Sequence, residues 1–251
     1  MELDCVYMNT RTGILAAMES EIRDLSSSLD HERMEKICGR EIHFGSLEGV
    51  PVALVLCGVG KVNAALSTTL LACHAKVNRI LVTGISGGLA EGLKVGDVVI
   101  GDSFVQHDMD PRPLFPLHEI PFEGFSIIES DPELKHLLAE AARSMLASAR
   151  PENFENADVF EGLVISGDQF LSSSETRDRV LQNLPKACAV DMESAAIAQV
   201  CRAAGIPLGV MRVISDCADG SAHIDFAKFV EFSASKACAE TVRYALRALA
   251  Q

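Results

Sequence analysis

The 251-residue sequence lacks the patterns that mark membrane-spanning, secreted or zinc-binding chains. Its eight cysteines include no Cys-x-x-Cys pair and no Cys/His cluster at zinc-ligand spacing, so reduced and mostly buried thiols are expected. No run of about 18 apolar residues occurs, which argues against a transmembrane helix. Residues 1–12 lack the apolar core of a signal peptide and read as a loose extension. We therefore expect a cytoplasmic protein that does not contact membranes.

Positive charge is also scarce. The chain has 22 lysines and arginines against 35 acidic residues, a formal net charge of −13. Such a field repels phosphate backbones and argues against nucleic acid as a partner. A small neutral or cationic ligand is easier to accommodate. With 48% hydrophobic residues the chain can form a sizeable core, and its length predicts one domain spanning residues 1–251.

Nucleotide-cofactor and metal signatures are missing as well. Residues 58–61 lack the spacing of a phosphate-binding Gly-x-x-x-x-Gly-Lys loop, and Val62 replaces its Ser or Thr. The glycine-rich stretch 84–88 is not Gly-x-Gly-x-x-Gly, so a dinucleotide site is not expected. His107, Asp108 and Asp110 could bind a metal, but polar residues on one loop are more often simply solvated. We predict no cofactor and no metal.

Strands and helices alternate along the chain, which predicts an α/β domain with a largely parallel or mixed central sheet. The glycine-rich stretch 84–88 is expected to be a loop. The proline-rich segment 106–121 is expected to be a lid, a binding loop or a subunit contact. Strands are predicted at 13–17, 41–47, 51–57, 79–83, 97–105, 159–166, 189–190 and 207–216, and helices at 18–25, 61–75, 131–147, 172–183, from 193 and at 225–251.

Three carboxylates follow predicted strands. Glu193 comes after the strand ending at 190, Asp216 ends the strand 207–216, and Glu21 lies in the first strand-to-helix turn. Because the carboxyl ends of parallel strands open onto one crevice, these acids could face one pocket. They could equally be acids placed in first turns by the helix dipole, with Asp216 a turn former. The residues alone leave both interpretations open.

Six segments follow one another along the chain in an order and spacing that carry a family resemblance. The segments are 13–21 (GILAAMESE), 57–61 (CGVGK), 83–88 (TGISGG), 162–170 (GLVISGDQF), 190–193 (VDME) and 212–216 (RVISD). With these segments the sequence resembles the methylthioadenosine/S-adenosylhomocysteine nucleosidases of the nucleoside phosphorylase superfamily over nearly its whole length. The resemblance implies a three-layer α/β/α sandwich with a mixed central sheet, commonly a homodimer, that hydrolyses adenosine thioethers in methionine salvage.

The resemblance also implies catalytic roles. Asp216 would protonate purine N7, and Glu21 would activate the attacking water with help from Arg212. Glu193 would accept hydrogen bonds from the ribose 2′ and 3′ hydroxyls, and the Met192 backbone would support the same ring. Breaking an N-glycosidic bond builds positive charge on the ribose and negative charge on the purine, so an acid and a base should each help.

Further contacts are implied around the purine nucleoside. Phe170 would stack on the adenine, and Met18 would border the sugar. His107 and the loop 106–121 are expected to come from the neighbouring subunit to close the thioether end. The remaining substrate-binding residues implied by the resemblance are Leu171 at the base edge, Ile85, Ser86 and Ser215 near the glycine-rich stretch, and Val59 and Phe226 at the alkylthio group.

Two departures from the family pattern stand out. The family often has Ser then Ala where this chain has Ile85 then Ser86, so the hydroxyl usually near the water is displaced by one position. The sequence leaves open whether the Ser86 hydroxyl takes the place of the usual one. Asp191 stands where a longer acid is common, which puts the geometry before Met192 in question.

Three other functions compete with hydrolysis. A phosphorylase of this superfamily would need cations for phosphate, but Glu21 occupies one of the expected places and would repel a phosphate dianion. A nucleoside-binding protein without catalysis could keep the same fold. An AMP-type nucleosidase would want a basic cluster for the substrate phosphate, and the sequence offers none.

Overall fold

The computed structural model describes residues 10–216 and 233–251. Over these residues the chain forms eleven strands and six α-helices. The strands are β1 Thr12–Ala16, β2 Asp30–Ile37, β3 Arg40–Leu47, β4 Val50–Leu56, β5 Arg79–Val82, β6 Ile85–Gly88, β7 Val98–Gln106, β8 Ile128–Glu129, β9 Val159–Ser166, β10 Ala187–Asp191 and β11 Leu208–Asp216. The helices are α1 Glu19–Ser27, α2 Lys61–Thr69 with a π-helical turn Leu70–His74, α3 Pro132–Ser148, α4 Ser174–Asn183, α5 Ser194–Ala204 and α6 Ser235–Leu249.

The central sheet is mixed, in the order β2-β3-β4-β1-β5-β11-β6-β10-β9-β7-β8. Strands β4, β1, β5 and β11 run parallel, while β2, β3 and β4 form an antiparallel meander at one edge. Strand β11 also pairs with β7 in the antiparallel sense, which closes a ring of β11, β6, β10, β9 and β7. The predicted mixed sheet is confirmed.

Helices cover both faces of the sheet, as a three-layer sandwich requires. Helices α1, α3 and α6 bury residues such as Leu25, Leu138 and Val242 against one face. Helix α2 and helix α5 bury Ala64 and Ile197 against the other. These burials come from one-sided apolar patterns on each helix, which drive helix-on-sheet packing.

Helix starts follow the capping chemistry of the sequence. Asp131 accepts hydrogen bonds from the main-chain N–H groups of Glu133 and Leu134 at 3.0 and 2.9 Å, with Pro132 at the first helical position. Ser173 caps α4 by accepting from the Thr176 N–H. Both helices begin where the sequence predicts.

Two local predictions are wrong or incomplete. The stretch 84–88 is not a loop: residues Ile85–Gly88 form β6, whose backbone pairs with β10 and β11. Glycines suit this crowded place because they let backbones approach closely. Strand β2 was not predicted, since its residues are charged and largely exposed, as edge strands often are.

Within the described ranges, no helix is long and apolar enough to cross a membrane. The predicted final helix is described only as Ser235–Leu249, and residues 225–232 lie outside the described residues. Residues 1–9 of the predicted loose extension 1–12 also lie outside them, whereas Thr12 is the first residue of β1.

Candidate active site

Four predicted site residues lie on or just after the central strands. Glu21 follows β1, Glu193 follows β10, and Arg212 and Asp216 lie on β11. All four are buried, with exposed fractions of 3, 4, 1 and 6% respectively. Ionisable side chains are almost never this buried unless they are paired, so their partners define the site.

Glu21 is held by the main chain. Its Oε2 accepts hydrogen bonds from the N–H groups of Ala17 and Met18, each at 2.8 Å, and its Oε1 accepts from the Ile85 N–H at 3.0 Å. Burial raises the pKa of Glu21 above its ordinary value, and the Arg212 charge and the three N–H donors offset part of that rise. Glu21 is thus both a first-turn acid of α1 and a member of the buried cluster.

The structure explains why a glycine stands at position 84, the start of the 84–88 stretch. A Cβ built on Gly84 would lie 2.3 Å from Arg212 Nη1 and 2.7 Å from Glu21 Oε1. Only a residue without a side chain lets these two groups approach the strand end so closely. The glycine therefore makes room for the ionic cluster.

Arg212 joins the acids to one another. Its Nε lies 2.8 Å from Asp191 Oδ2, and its Nη2 lies 3.6 Å from Glu193 Oε2. Burial alone would lower the pKa of Arg212, but Asp191, Glu193 and Glu21 together raise it above its ordinary value. The guanidinium is therefore a fixed positive charge within a group of carboxylates.

Asp191 is the most heavily bonded acid of the cluster. Its Oδ1 accepts hydrogen bonds from the main-chain N–H groups of Glu193 and Ser194 at 3.0 Å each, and the Ser166 and Ser194 hydroxyls bond its two oxygens. Ser166 Oγ in turn accepts from the Ala195 N–H at 2.8 Å. The shorter acid at position 191 thus sets the turn that presents Met192 and Glu193.

Glu193 reaches across to a loop far away in sequence. Its Oε1 accepts the Gly60 N–H at 2.9 Å, which brings the start of α2 onto the start of α5. Burial raises the pKa of Glu193 to about 7; Arg212 opposes this rise, and Asp191 and Glu21 add to it. Glu193 therefore holds its proton to a higher pH than an exposed carboxyl group does, as functional carboxylates often do.

A small cavity forms beside this cluster. It contains the predicted purine contacts Phe170 and Leu171, the predicted ribose contact Met192, and Asp216, and its other lining residues are Gly87, Gln169, Val190 and Asp191. Phe170 is 57% exposed, so its ring is available to a ligand rather than packed in the core. Ser215 Oγ lies 3.0 Å from Asp216 Oδ2 and 3.2 Å from the Ser86 carbonyl oxygen. Asp191 belongs to both the cavity and the ionic cluster and so connects them.

The remaining predicted contacts lie around this centre. Ile85 and Met18, both partly buried, pack against the core formed by α1, α3 and α6. Ser86 follows Ile85 on the opposite face of β6. Its Oγ is buried and makes no hydrogen bond with any described residue. Val59 is 47% exposed in the loop before α2, and Phe226 lies outside the described residues.

His107 lies against Gly167 of its own chain. A Cβ on Gly167 would lie 2.4 Å from His107 Nε2. The approach of the 106–121 loop to a neighbouring subunit stays a prediction. No group of three His, Cys, Asp or Glu side chains among the described residues could hold a metal ion.

Sequence reasoning missed the supporting polar residues. Ser166 ends β9 and Ser194 begins α5, so both occur at strand or helix ends beside the predicted acids. Their positions at the carboxyl edge were the available signal. Lys61 has no predicted role in the site, although its side chain and main chain both bond near the site.

Comparison with known proteins places this chain in a family. A family model described as Phosphorylase superfamily matches residues 11–249. The 5′-methylthioadenosine/S-adenosylhomocysteine nucleosidase from Neisseria meningitidis, in complex with methylthio-immucillin-A, is 34% identical with a TM-score of 0.86, over 95% of this chain and 99% of that chain. The Streptococcus pneumoniae nucleosidase with the transition-state inhibitor MT-ImmA is 31% identical with a TM-score of 0.83, over 95% and 99%. The futalosine hydrolase of Helicobacter pylori strain 26695 is 31% identical with a TM-score of 0.84, over 96% and 98%.

The chain belongs to the phosphorylase superfamily. The resemblance to methylthioadenosine/S-adenosylhomocysteine nucleosidases is confirmed, and with it the class of enzyme, a purine nucleosidase that is an N-glycosyl hydrolase.

Proposed function

We propose that the protein hydrolyses the N-glycosidic bond of 5′-methylthioadenosine and S-adenosylhomocysteine, releasing adenine and the thioribose. The observation that carries the proposal is the buried cluster in which Glu21, Glu193 and Arg212 meet next to a cavity lined by Phe170 and Asp216. The similar nucleosidases bind adenosine-like inhibitors over nearly the same length of chain.

At the purine end, Asp216 acts as the general acid. As the bond from ribose C1′ to purine N9 breaks, its electron pair moves onto the base, and a proton from Asp216 to N7 neutralises that charge. Phe170 stacks on the base, while the adjoining backbone reads its edge. Asp216 lies at the end of β11 with an exposed fraction of 6%, within the same cavity as Phe170.

At the ribose, Glu21 activates water. The water oxygen forms the new bond to C1′, and Glu21 takes up the proton released. The raised pKa of the buried Glu21 supports this role, because a general base works best when its pKa is near the operating pH. Arg212 positions the carboxylates, and Glu193 accepts hydrogen bonds from the 2′ and 3′ hydroxyls.

Electrostatics favours water over phosphate as the nucleophile. Arg212 is already paired with Asp191 at 2.8 Å, and Glu21 lies beside it. A phosphate dianion entering here would face an ionised carboxylate in a place with little water to screen it. The phosphorylase alternative is therefore the weaker one.

A second candidate is hydrolysis of futalosine. The futalosine hydrolase of Helicobacter pylori is as similar to this chain as the nucleosidases are, with a TM-score of 0.84. The two candidates share cleavage of an N-glycosidic bond, so the same cluster could serve either.

One experiment separates these functions: release of free base in phosphate-free buffer from methylthioadenosine, S-adenosylhomocysteine, futalosine and inosine. We expect adenine from the first two. Base release from futalosine alone would select the second candidate. Strict dependence on added phosphate would overturn hydrolysis. If the unmodified protein and the Asp216→Asn variant both bound adenosine thioethers but neither released adenine, the protein would be a nucleoside-binding protein.

We further propose a cytoplasmic homodimer that acts in methionine salvage, with the whole chain forming one domain. In this arrangement His107 and the loop 106–121 close the thioether end of the partner's site. Analytical ultracentrifugation of the purified protein tests the dimer, since a monomer at micromolar concentration would contradict it.

A further inference from the structure

A polar ring connects three loops next to the candidate active site. We call it the Lys61 ring; it consists of Lys61, Asp108 and Asp168. Lys61 Nζ donates to Asp108 Oδ1 at 2.6 Å, the Asp168 N–H donates to Asp108 Oδ2 at 3.0 Å, and the Lys61 N–H donates to Asp168 Oδ1 at 2.8 Å. Each residue thus bonds the other two, so the ring is closed.

The three loops carry parts of the site. Lys61 follows Gly60, whose N–H bonds Glu193, and Asp168 precedes Phe170 by two residues. Asp108 lies near the start of the 106–121 loop, two residues after the end of β7. The ring therefore joins the ribose side, the purine side and the predicted subunit loop.

Within the ring, the Lys61–Asp108 ion pair is shielded from solvent more than a surface ion pair is, whereas Asp168 is exposed. The side chains of Lys61 and Asp108 are 18% and 19% exposed. Burial opposes ionisation of Asp108, but the Lys61 ammonium and the Asp168 N–H lower the pKa of Asp108 below its ordinary value. Lys61 Nζ also donates to Gln106 Oε1 at 3.1 Å, and Gln106 Nε2 donates to Gln199 Oε1 of α5 at 2.7 Å.

We propose that Lys61 is a positioning residue that holds the Gly60 N–H on Glu193 and so fixes the carboxylate that receives the ribose hydroxyls. Lys61 touches no reacting atom in this proposal. Without the ring, the loop 58–60 would move relative to α5, and Glu193 would lose a main-chain donor that orients it. The inference rests on the proposed role of Glu193 in binding ribose.

The test compares Lys61→Met with the wild type on two substrates, methylthioadenosine and 2′,3′-dideoxyadenosine. Loss of a positioning contact to the hydroxyl acceptor is expected to raise KM for methylthioadenosine about 10-fold with kcat changed less than about 3-fold. The dideoxy substrate lacks both hydroxyls, so its KM should change less than about 2-fold. Lys61→Arg, which can still donate to Asp108, should recover most of the loss.

A matched control removes another lysine–carboxylate pair. Lys135 Nζ lies 3.3 Å from Glu161 Oε2. Glu161 is near the start of β9, whereas Asp168 lies beyond the other end of that strand. Lys135→Met should leave both KM values unchanged. Equal KM changes on the two substrates, or a loss in kcat alone, would overturn the proposal. If Lys61→Met does not fold, Asp108→Asn removes the same ion pair, and the same criteria apply.

The outcomes also separate this inference from the proposed function. If the wild type releases no adenine from either substrate, the proposed function fails, and calorimetric Kd values for adenosine and 2′,3′-dideoxyadenosine then test the ring by the same ratio. If the wild type is active and the ratio of the KM values for the two substrates is the same in Lys61→Met as in the wild type, the proposed function stands and only the inference about the ring fails.

Discussion

Glu21 and Glu193 occupy similar places but are held differently. Each follows a parallel strand and begins a helix, each is buried, and the pKa of each is raised first by burial. Glu21 accepts three main-chain N–H groups from its own turn and from β6. Glu193 depends on the Gly60 N–H and on Arg212 at 3.6 Å. The first helical turn and the sheet therefore hold the proposed base, Glu21, while a distant loop and Arg212 hold the proposed ribose acceptor, Glu193.

The largest effect is expected from breaking the first member of this pair. Glu21→Gln keeps the shape but removes the base, so kcat should fall about 10² to 10⁴-fold while KM changes little. Steady-state adenine release measures both constants. Glu19→Gln, on the exposed side of the same first turn, should be nearly neutral. A loss under about 10-fold for Glu21→Gln would assign the activation of water elsewhere.

Removing what the two acids share should cost stability. Arg212→Met leaves several buried carboxylates without their cation, which is expected to lower the free energy of unfolding by about 3–5 kcal/mol at pH 8. The pKa values of Glu21 and Glu193 would rise further in the folded state, so protonation at pH 5.5 should restore part of the loss. Urea unfolding at both pH values measures this.

A surface pair is the control for that variant. Arg247 Nε lies 2.8 Å from Glu48 Oε2 with an exposed fraction of 45% for the arginine side chain. Arg247→Met should therefore change the unfolding free energy by about 1 kcal/mol or less. If Arg212→Met and Arg247→Met lowered the free energy of unfolding equally, the buried cluster would depend on Arg212 no more than a surface ion pair depends on its arginine.

A smaller effect is expected at the second member of the pair. Glu193→Gln removes a charged acceptor for the ribose hydroxyls, which should raise KM about 10-fold to 100-fold and reduce kcat much less. Measurements with methylthioadenosine give both constants. If kcat fell as far as in Glu21→Gln with KM unchanged, the proposed division of labour between the two acids would be wrong.

The smallest of the predicted effects is on the pH dependence of activity, and it also bears on the comparison of Glu21 with Glu193. Because the pKa of Glu193 is about 7, its ionised form accumulates as pH rises through 7, and kcat/KM should rise over that interval. Glu193→Gln should lose this limb, whereas Glu19→Gln should keep it. The effect of pH on stability has the opposite sign. A carboxyl group whose pKa is raised by folding stabilises the folded state at pH values below its ordinary pKa of 4.5, and this stabilisation is lost by pH 8.

The sequence predicts the parts of the site that depend on strand ends. Glu21, Glu193 and Asp216 each follow a recognisable apolar strand, and neighbouring parallel strands bring such residues to one edge. Capped helices are predictable for a similar reason, because Asp131 and Ser173 act on residues next to them in sequence. Local chemistry is readable from a single chain.

The parts that could not be predicted depend on pairing between distant residues. The Gly60 N–H meets Glu193 across 133 positions, and Lys61 meets Asp108 across 47. The strand β6 forms from glycines and a serine because β10 and β11 lie on either side, which local propensity does not indicate. Asp191 is a small departure in the sequence, yet its contacts join the turn to Ser194 with Ser166 on the neighbouring strand β9.

Strand β11 gives the site an unusual resistance to local opening. Its nine residues are all buried, and they pair in turn with β5, β7 and β6. The Val213 and Ile214 N–H groups donate at 2.8 Å to Gly84 and Asp97 carbonyl oxygens. Exposing them to solvent would require separating three neighbours at once, so their hydrogen exchange should proceed only through global unfolding. Arg212 and Asp216, on the same strand, would then stay in place while a nucleoside binds and the products leave.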